Sequence, residues 1–376
     1  MAADYDIGIV GGGLGALTLA IQAAQQGYRV VLFEKEQYPF HKVCGEYISN
    51  ESWNFLERCG MPLDEWQLPK INKLTISASS GKLFNFQLPL GGFGISRYKL
   101  DNSLYEKAVS LGVVVYTATK VNDVKAIDDV FHISSDTTSV SALVVVGAFG
   151  KKANLDVKWG RDFIQHKPTK INNYLGVKYH IEYPHPVDNI SLHNFTNGYC
   201  GISAIENNMC CLCYLTTAEN LVAAGNSITA MEQNILSKNK QLAAIFSNAR
   251  FLYEQPITIS QINFHKKEQV NNHILLVGDA AGMITPLCGN GMSMAMQAGC
   301  MALAQIQLYL NKRISRQEME LNYQKNWQKQ FAFRTATGRL VQQFFGGAST
   351  AVFLQIMSKS AYLSKKLIQQ THGQPF

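Results

Sequence analysis

A glycine-rich turn between a short apolar run and a helix-forming stretch constrains this chain more than any other feature. Tyr5 to Val10 carries no charge after Asp6 and ends at Gly11, Gly12 and Gly13, which predicts a buried strand. Leu14 to Gln26 turns to Leu, Ala, Thr and Gln, and Gly27 stands where a helix C-cap would. A second strand, Arg29 to Phe33, runs into Glu34. Gly11, Gly13 and Ala16 form a GxGxxA pattern with the acid about 20 residues further on, the strand–helix–strand layout that binds a dinucleotide. Gly11 permits the tight turn, Gly13 lets backbone approach a pyrophosphate, and Ala16 lets the helix pack closely on the strand. The N–H groups at the helix start, at Leu14 and Gly15, then face phosphate. Glu34, with Lys35 beside it, is placed to accept both hydroxyls of an adenosine ribose, which argues against a 2′-phosphate and leaves FAD or NAD.

At 376 residues the chain is long enough for two domains, and 47% hydrophobic against 16% charged residues makes it globular. No run reaches the roughly 20 apolar residues of a membrane span. The start carries Asp4 and Asp6 rather than a basic cluster before an apolar stretch, so a cytoplasmic protein is expected. Of eight cysteines only Cys210 and Cys213 have CxxC spacing, with no second pair, and they lie in the strand-like run MCCLCYL. Buried small hydrophobes are the expectation there, and no metal site. The net charge of +7 is not gathered into arginine-rich blocks, which argues against nucleic acid; anionic cofactors or a membrane surface account for it equally well.

Beyond Glu34 the residues Lys35, Pro39 and the run KVCGE resemble the flavin loop of FAD-dependent oxidoreductases in the geranylgeranyl reductase group, which shares its fold with p-hydroxybenzoate hydroxylase and the flavin halogenases. The resemblance implies cofactor contacts at Cys44 and Gly45, and at Arg97 in the stretch GISRYKLD. It also implies backbone contact with adenine at Val121 and a contact at Ala148, in Gly147–Gly150 where relatives read GADG. Phe149 replaces their aspartate, which puts hydroxylase-type handling of NAD(P)H in doubt. The run HILLVGDAAGMITPLCGNGM resembles the GD motif of the same superfamily. It implies that Gly278 and Asp279 meet the ribityl chain, and that Gly289, Gly291 and Met292 aim a helix start at the flavin.

Within the remaining sequence, Asp101 or Asn102 is expected to cap a helix ended by Gly112. Alternating runs such as Tyr174–Tyr183 and Cys210–Thr216 predict an antiparallel sheet, with one helical segment over roughly 218–246. Phe331–Phe376 is expected to form two or three amphipathic helices packed over the domains, with membrane contact as the alternative. The resulting expectation is an α/β fold of the p-hydroxybenzoate hydroxylase type. Residues 1–70, 96–155 and 268–330 form a discontinuous Rossmann-like FAD-binding domain, 71–95 and 156–267 an antiparallel sheet over the substrate, and 331–376 a helical segment. FAD is the expected cofactor, with NAD(P)H as a transient reductant. The first functional expectation is a monooxygenase hydroxylating an aromatic or apolar small molecule. The alternatives are an ene-reductase of an isoprenoid or polyene and a flavin electron carrier without turnover. NGYCGISAIE keeps Tyr199 but lacks the YxWxFP signature of the reductases, and no WxWxIP-like stretch is present, which argues against halogenation. His166, His180, His185 and His193 are expected to be surface or satisfied core groups, and no catalytic acid or base is assigned.

Overall fold

Strands rich in Ile and Val, with any charged residue confined to one end, can sit in the middle of a parallel sheet covered on both faces. Tyr5–Val10 does so: Ile7 pairs with Val30 on one side and Val144 on the other. The structure is a computed structural model that describes residues 3–165, 173–262, 264–347, 350–371 and 373–376. The first sheet runs Val270–Asn271, Ile274–Leu276, Ser139–Gly147, Tyr5–Val10, Val30–Phe33, Val114–Tyr116. Val121–Ile127 and Val130–Ser135 extend it as an antiparallel meander. Helix α1 (Leu14–Gln25) packs against α2 (Arg97–Ser110) and, very closely, against α3 (Gly291–Leu310). A Cβ on Gly15 would lie 2.5 Å from the Ala295 carbonyl oxygen, so glycine at this position sets the distance between α1 and α3.

The second sheet has nine strands, in the order Arg250–Phe251, Tyr174–Glu182, Cys210–Thr217, Gly198–Ala204, Asn189–Phe195, Lys70–Ser77, Leu83–Gly94, Tyr47–Ser49, with Ile257–Ile262 beside Tyr174. Strand alternation gives it two apolar faces. Leu212 and Tyr214 meet Met231, Leu242 and Ile245 from short helices on the outside. Ile76, Leu192 and Leu215 face inward with Met283 and Leu354. Three helices close the chain: α4 (Arg316–Gln342), α5 (Thr350–Lys359) and α6 (Ala361–Thr371).

Three local expectations need correction. The cap of α2 is Ser96, whose Oγ accepts from the Lys99 N–H at 3.1 Å; Asp101 lies inside the helix, where its carboxylate holds Arg97. The single helical segment at 218–246 is three short helices, Ala218–Ala223, Ile228–Asn234 and Lys240–Asn248, with Ser227 and Asn239 capping the second and third. The helix that carries Phe331 begins at Arg316, where Ser315 and Glu318 form a capping box.

His193 is buried on the second sheet, with Nδ1 3.0 Å from Ser77 Oγ, and burial pushes its pKa down to about 4. The unfolded chain therefore takes up this proton first as pH falls. The stability associated with a neutral His193 is complete above pH ~6.5 and lost progressively down to about 4. Urea titrations at a series of pH values should show that slope, and His193→Gln should reduce it, the remainder coming from His41 and His185, which burial also pushes down.

Candidate functional site

The glycine turn is built around a carboxylate. Glu34 Oε2 accepts from the Gly12 N–H at 2.8 Å and Oε1 from the Glu36 N–H at 3.1 Å, which fixes the carboxylate at the mouth of the turn. Tyr38 Oη donates to the Gly12 carbonyl at 2.5 Å, and Lys42 Nζ reaches the same oxygen at 3.4 Å. Gly11 has φ +100°, and a Cβ there would lie 2.4 Å from the Ala148 carbonyl oxygen. Gly13 is different: its φ of −83° suits any residue, and a Cβ would meet nothing within 4 Å. Leu14 and Ala16 turn their side chains into the core, so what the helix start offers outward is backbone N–H. The Lys35 side chain is exposed and pairs with Glu36 at 3.4 Å.

The CGE loop stands over a buried charge cluster. Glu46 Oε1 pairs with Lys178 Nζ and accepts from the Arg97 N–H at 2.8 Å; Oε2 meets His180 Nε2 at 2.6 Å. Burial pushes the Glu46 carboxyl upward, but Lys178 and His180 outweigh it and hold it below the usual carboxylate range. Burial likewise lowers the Lys178 pKa, and Glu46 more than restores it. Arg97 forks onto Asp101 at 2.7 and 2.8 Å, and Lys42 joins Asp101 at 3.0 Å. Glu46, His180 and Cys211 bring donor atoms within 4.8 Å of one another, a spacing a metal could use, yet Lys178 already supplies the positive charge there. Gly45 projects into open space like Gly13, while Cys44 Sγ lies 3.6 Å from Met292 Sδ at the start of α3.

The GD motif reaches the same place from the other direction. Gly278, at φ +60°, has room for a Cβ only 3.4 Å from Ala295 Cβ, and Asp279 follows half-buried. Buried Lys267 fixes this backbone by donating to the carbonyls of Asp279 at 2.8 Å and Lys151 at 2.7 Å, and desolvation lowers its pKa to about 8. Fully buried Arg161 ties Asp156, Glu268 and the Ala280 carbonyl together alongside. Gly289 rests on the ring of Tyr47, and Gly291 opens α3. Close contacts link these segments in pairs: Gly11 lies against Ala148, Glu34 holds the Gly12 N–H, Gly15 and Gly278 both face Ala295, Cys44 meets Met292, and Gly289 meets Tyr47. Val121 is buried, and its carbonyl accepts from Asn154 Nδ2 at 3.1 Å. Phe149 packs edge-on to Trp159 with centroids 5.9 Å apart.

Beside the Pro286–Gly289 loop opens an apolar cavity with roughly 860 Å³ of empty space, part of it continuous with solvent. Leu74, Ile76, Phe86, Leu88, Ile190 and Leu192 of the second sheet form one wall; Phe353, Leu354, Met357, Leu367 and Ile368 of α5 and α6 form the other. Among the described residues, none of those lining it carries a formal charge, and Tyr47 and Ser364 supply the side-chain hydroxyls. Tyr47 Oη is buried without a hydrogen-bond partner among the described residues, and burial pushes its pKa well up, so it stays a donor.

His185 and His193 are satisfied locally, by the Asn189 carbonyl at 2.9 Å and by Ser77, as expected of core histidines; His166 lies outside the described residues. Lys178 is the residue missed from sequence, and His180, expected as a surface or satisfied core group, is satisfied in the core by Glu46 at 2.6 Å. Their signal was present: two titratable side chains at i and i+2 of an otherwise apolar strand must share a face and need a charged partner.

The FAD binding domain family matches residues 4–320. The chain is 22% identical to conditioned medium factor receptor 1 of Dictyostelium discoideum, over 87% of this chain and 68% of that one. It is 24% identical to digeranylgeranylglycerophospholipid reductase 1 of Methanosphaera stadtmanae, over 79% and 73%. A geranylgeranyl bacteriochlorophyll reductase-like protein from Thermoplasma acidophilum superposes with a TM-score of 0.76 at 18% identity, covering 97% of this chain and 94% of that one. A flavin-dependent brominase superposes at 0.79 with 17% identity, covering 98% and 93%. At these identities the superpositions establish the shared p-hydroxybenzoate hydroxylase-like architecture.

Proposed function

Because the chain belongs to the FAD binding domain family and is an FAD-dependent oxidoreductase, we propose that it acts on an elongated apolar molecule held between the second sheet and helices α5 and α6. The observation that carries this reading is the uncharged apolar cavity beside Gly289, walled by the second sheet on one side and by α5 and α6 on the other. The groove fits FAD on this chain's own geometry. Gly13 and Gly45 leave space that no protein atom fills, and the Glu34 carboxylate, held by two backbone N–H groups, keeps acceptor capacity that ribose hydroxyls would use. Gly278, Asp279, Gly291 and Met292 would hold the flavin end, with the α3 terminus favouring negative charge on it. Bound FAD supplies two-electron transfer to or from carbon, which no side chain here can.

The cavity supports reduction of a carbon–carbon double bond in an isoprenoid or polyene as the leading chemistry. Hydroxylation of a phenol gains from a base that ionises the ring, and none of the lining residues is one. The apolar walls exclude water and align the chain, while Tyr47 Oη is available to donate a hydrogen bond to a polar end group. Monooxygenation of an apolar substrate is the second reading, favoured by the missing YxWxFP signature: Tyr199 stays buried against Phe345, with centroids 6.1 Å apart. In both readings NAD(P)H serves as the transient electron donor. The deciding experiment incubates the chemically reduced holoenzyme with geranylgeraniol, first anaerobically and then with oxygen. Gain of two hydrogens without oxygen supports reduction, gain of one oxygen atom supports monooxygenation, and neither change overturns both. Met357→Trp, which fills the cavity from α5, should retain FAD and lose at least ~10-fold in affinity for the apolar ligand by equilibrium dialysis.

A further inference from the structure

We infer that the outer faces of α5 and α6 dock on an anionic lipid bilayer. The chain has 34 Lys and Arg against 27 Asp and Glu. Residues 321–376 hold seven of the former and none of the latter; four of the seven are on α4, Arg334 among them buried against Glu51, and Lys359, Lys365 and Lys366 are on α5 and α6. The same tail exposes its largest apolar side chains. Val352, Ile356, Tyr362 and Leu363 are 45–70% exposed, while Phe353, Leu354 and Met357 turn inward to line the cavity. Val352, Ile356 and Lys359 fall at i, i+4 and i+7, one stripe of α5. Tyr362 and Lys366 continue the pattern on α6, with the ammonium over the ring at 5.8 Å.

Both helices are thus apolar on two sides, with lysines beside the outer one. A helix that only covers a core needs one apolar side. An outer face combining apolar side chains with lysines and lacking acids suits acyl chains beneath anionic headgroups. Charge is what selects this occupant: a second copy of the same acid-free surface would bring like charges together. No helix among the described residues is long and apolar enough to cross a membrane, so the contact is with one leaflet. Where the cavity holds an apolar chain, as proposed above, that chain would enter from the leaflet; the docking itself does not depend on that reading.

The test is flotation of the full-length, flavin-loaded protein with phosphatidylcholine vesicles, with and without a quarter of phosphatidylglycerol. The protein should float with the anionic vesicles in low salt, and at least ~10-fold less with neutral vesicles or in molar salt. A Lys359→Gln/Lys365→Gln/Lys366→Gln variant and an Ile356→Ser/Leu363→Ser variant should each lose at least ~10-fold in vesicle binding while keeping bound flavin and melting temperature. The inference is overturned if the parent protein stays out of the vesicle fraction, or if both variants float as it does. It is overturned equally if sedimentation shows a dimer that Ile356→Ser/Leu363→Ser dissociates, since the face would then belong to a second copy. Flavin retention in every variant separates this result from any failure of the redox reading.

Discussion

A Gly13→Val chain should emerge colourless and melt close to the temperature of the flavin-stripped parent. The backbone at Gly13 is extended, with φ −83° and ψ 179°, and a Cβ there meets no protein atom within 4 Å. The isopropyl group would therefore occupy only the space beside the first turn of α1 that the pyrophosphate needs. Stability should change by less than about 1 kcal/mol, as for a substitution that disturbs no packed neighbour. FAD affinity should fall by at least ~100-fold, or about 2.7 kcal/mol, by titration into the stripped protein. Gly11→Ala is the contrasting control. Its Cβ would collide with the Ala148 carbonyl at 2.4 Å from a backbone at φ +100°, so that chain should lose its fold along with the flavin. Parent-like FAD affinity in a folded Gly13→Val protein would remove the turn from the cofactor site.

Lys178→Met should be the most damaging single change outside the glycine turn. It removes the ammonium from fully buried Glu46, leaving His180 and one backbone N–H to hold the carboxylate. Breaking one side of a buried ion pair costs about 3–5 kcal/mol, much of it from the charge left behind. Urea denaturation should show a loss of that size, and the CGE loop that Glu46 anchors should hold flavin less tightly. The paired change Lys178→Met/Glu46→Gln should recover part of the loss, because no bare charge remains. If the double variant were as unstable as the sum of its singles, the two groups would not be acting as a pair.

The strand–turn–helix at the start was legible because its signals are local: an apolar run, three glycines and an acid within thirty-four residues. The start of α2 was misplaced for an equally local reason, since Ser96, Asp101 and Asn102 are all good capping residues and sequence cannot rank them. Lys178 and His180 on one face of a strand signalled that a charged partner was needed but not which one, because Glu46 and Lys178 are 132 residues apart. The cavity was hidden too, its walls being shared among sheet strands, the Pro286–Gly289 loop and the two last helices, each of which reads alone as ordinary core.

The first sheet takes its central strands from the beginning of the chain but is completed by Ile274–Leu276, which pairs with Ser139–Gly147, and by α3 lying on Gly15. During synthesis the earliest residues to leave the ribosome must therefore wait for some of the later ones before their layer closes. In the intervening sheet, Asn189–Phe195, Gly198–Ala204 and Cys210–Thr217 pair in chain order, as do Lys70–Ser77 and Leu83–Gly94, and these local pairs can form meanwhile. A fragment ending near residue 160 would thus be an unfinished layer with a bare apolar flank, prone to clump rather than to bind a nucleotide.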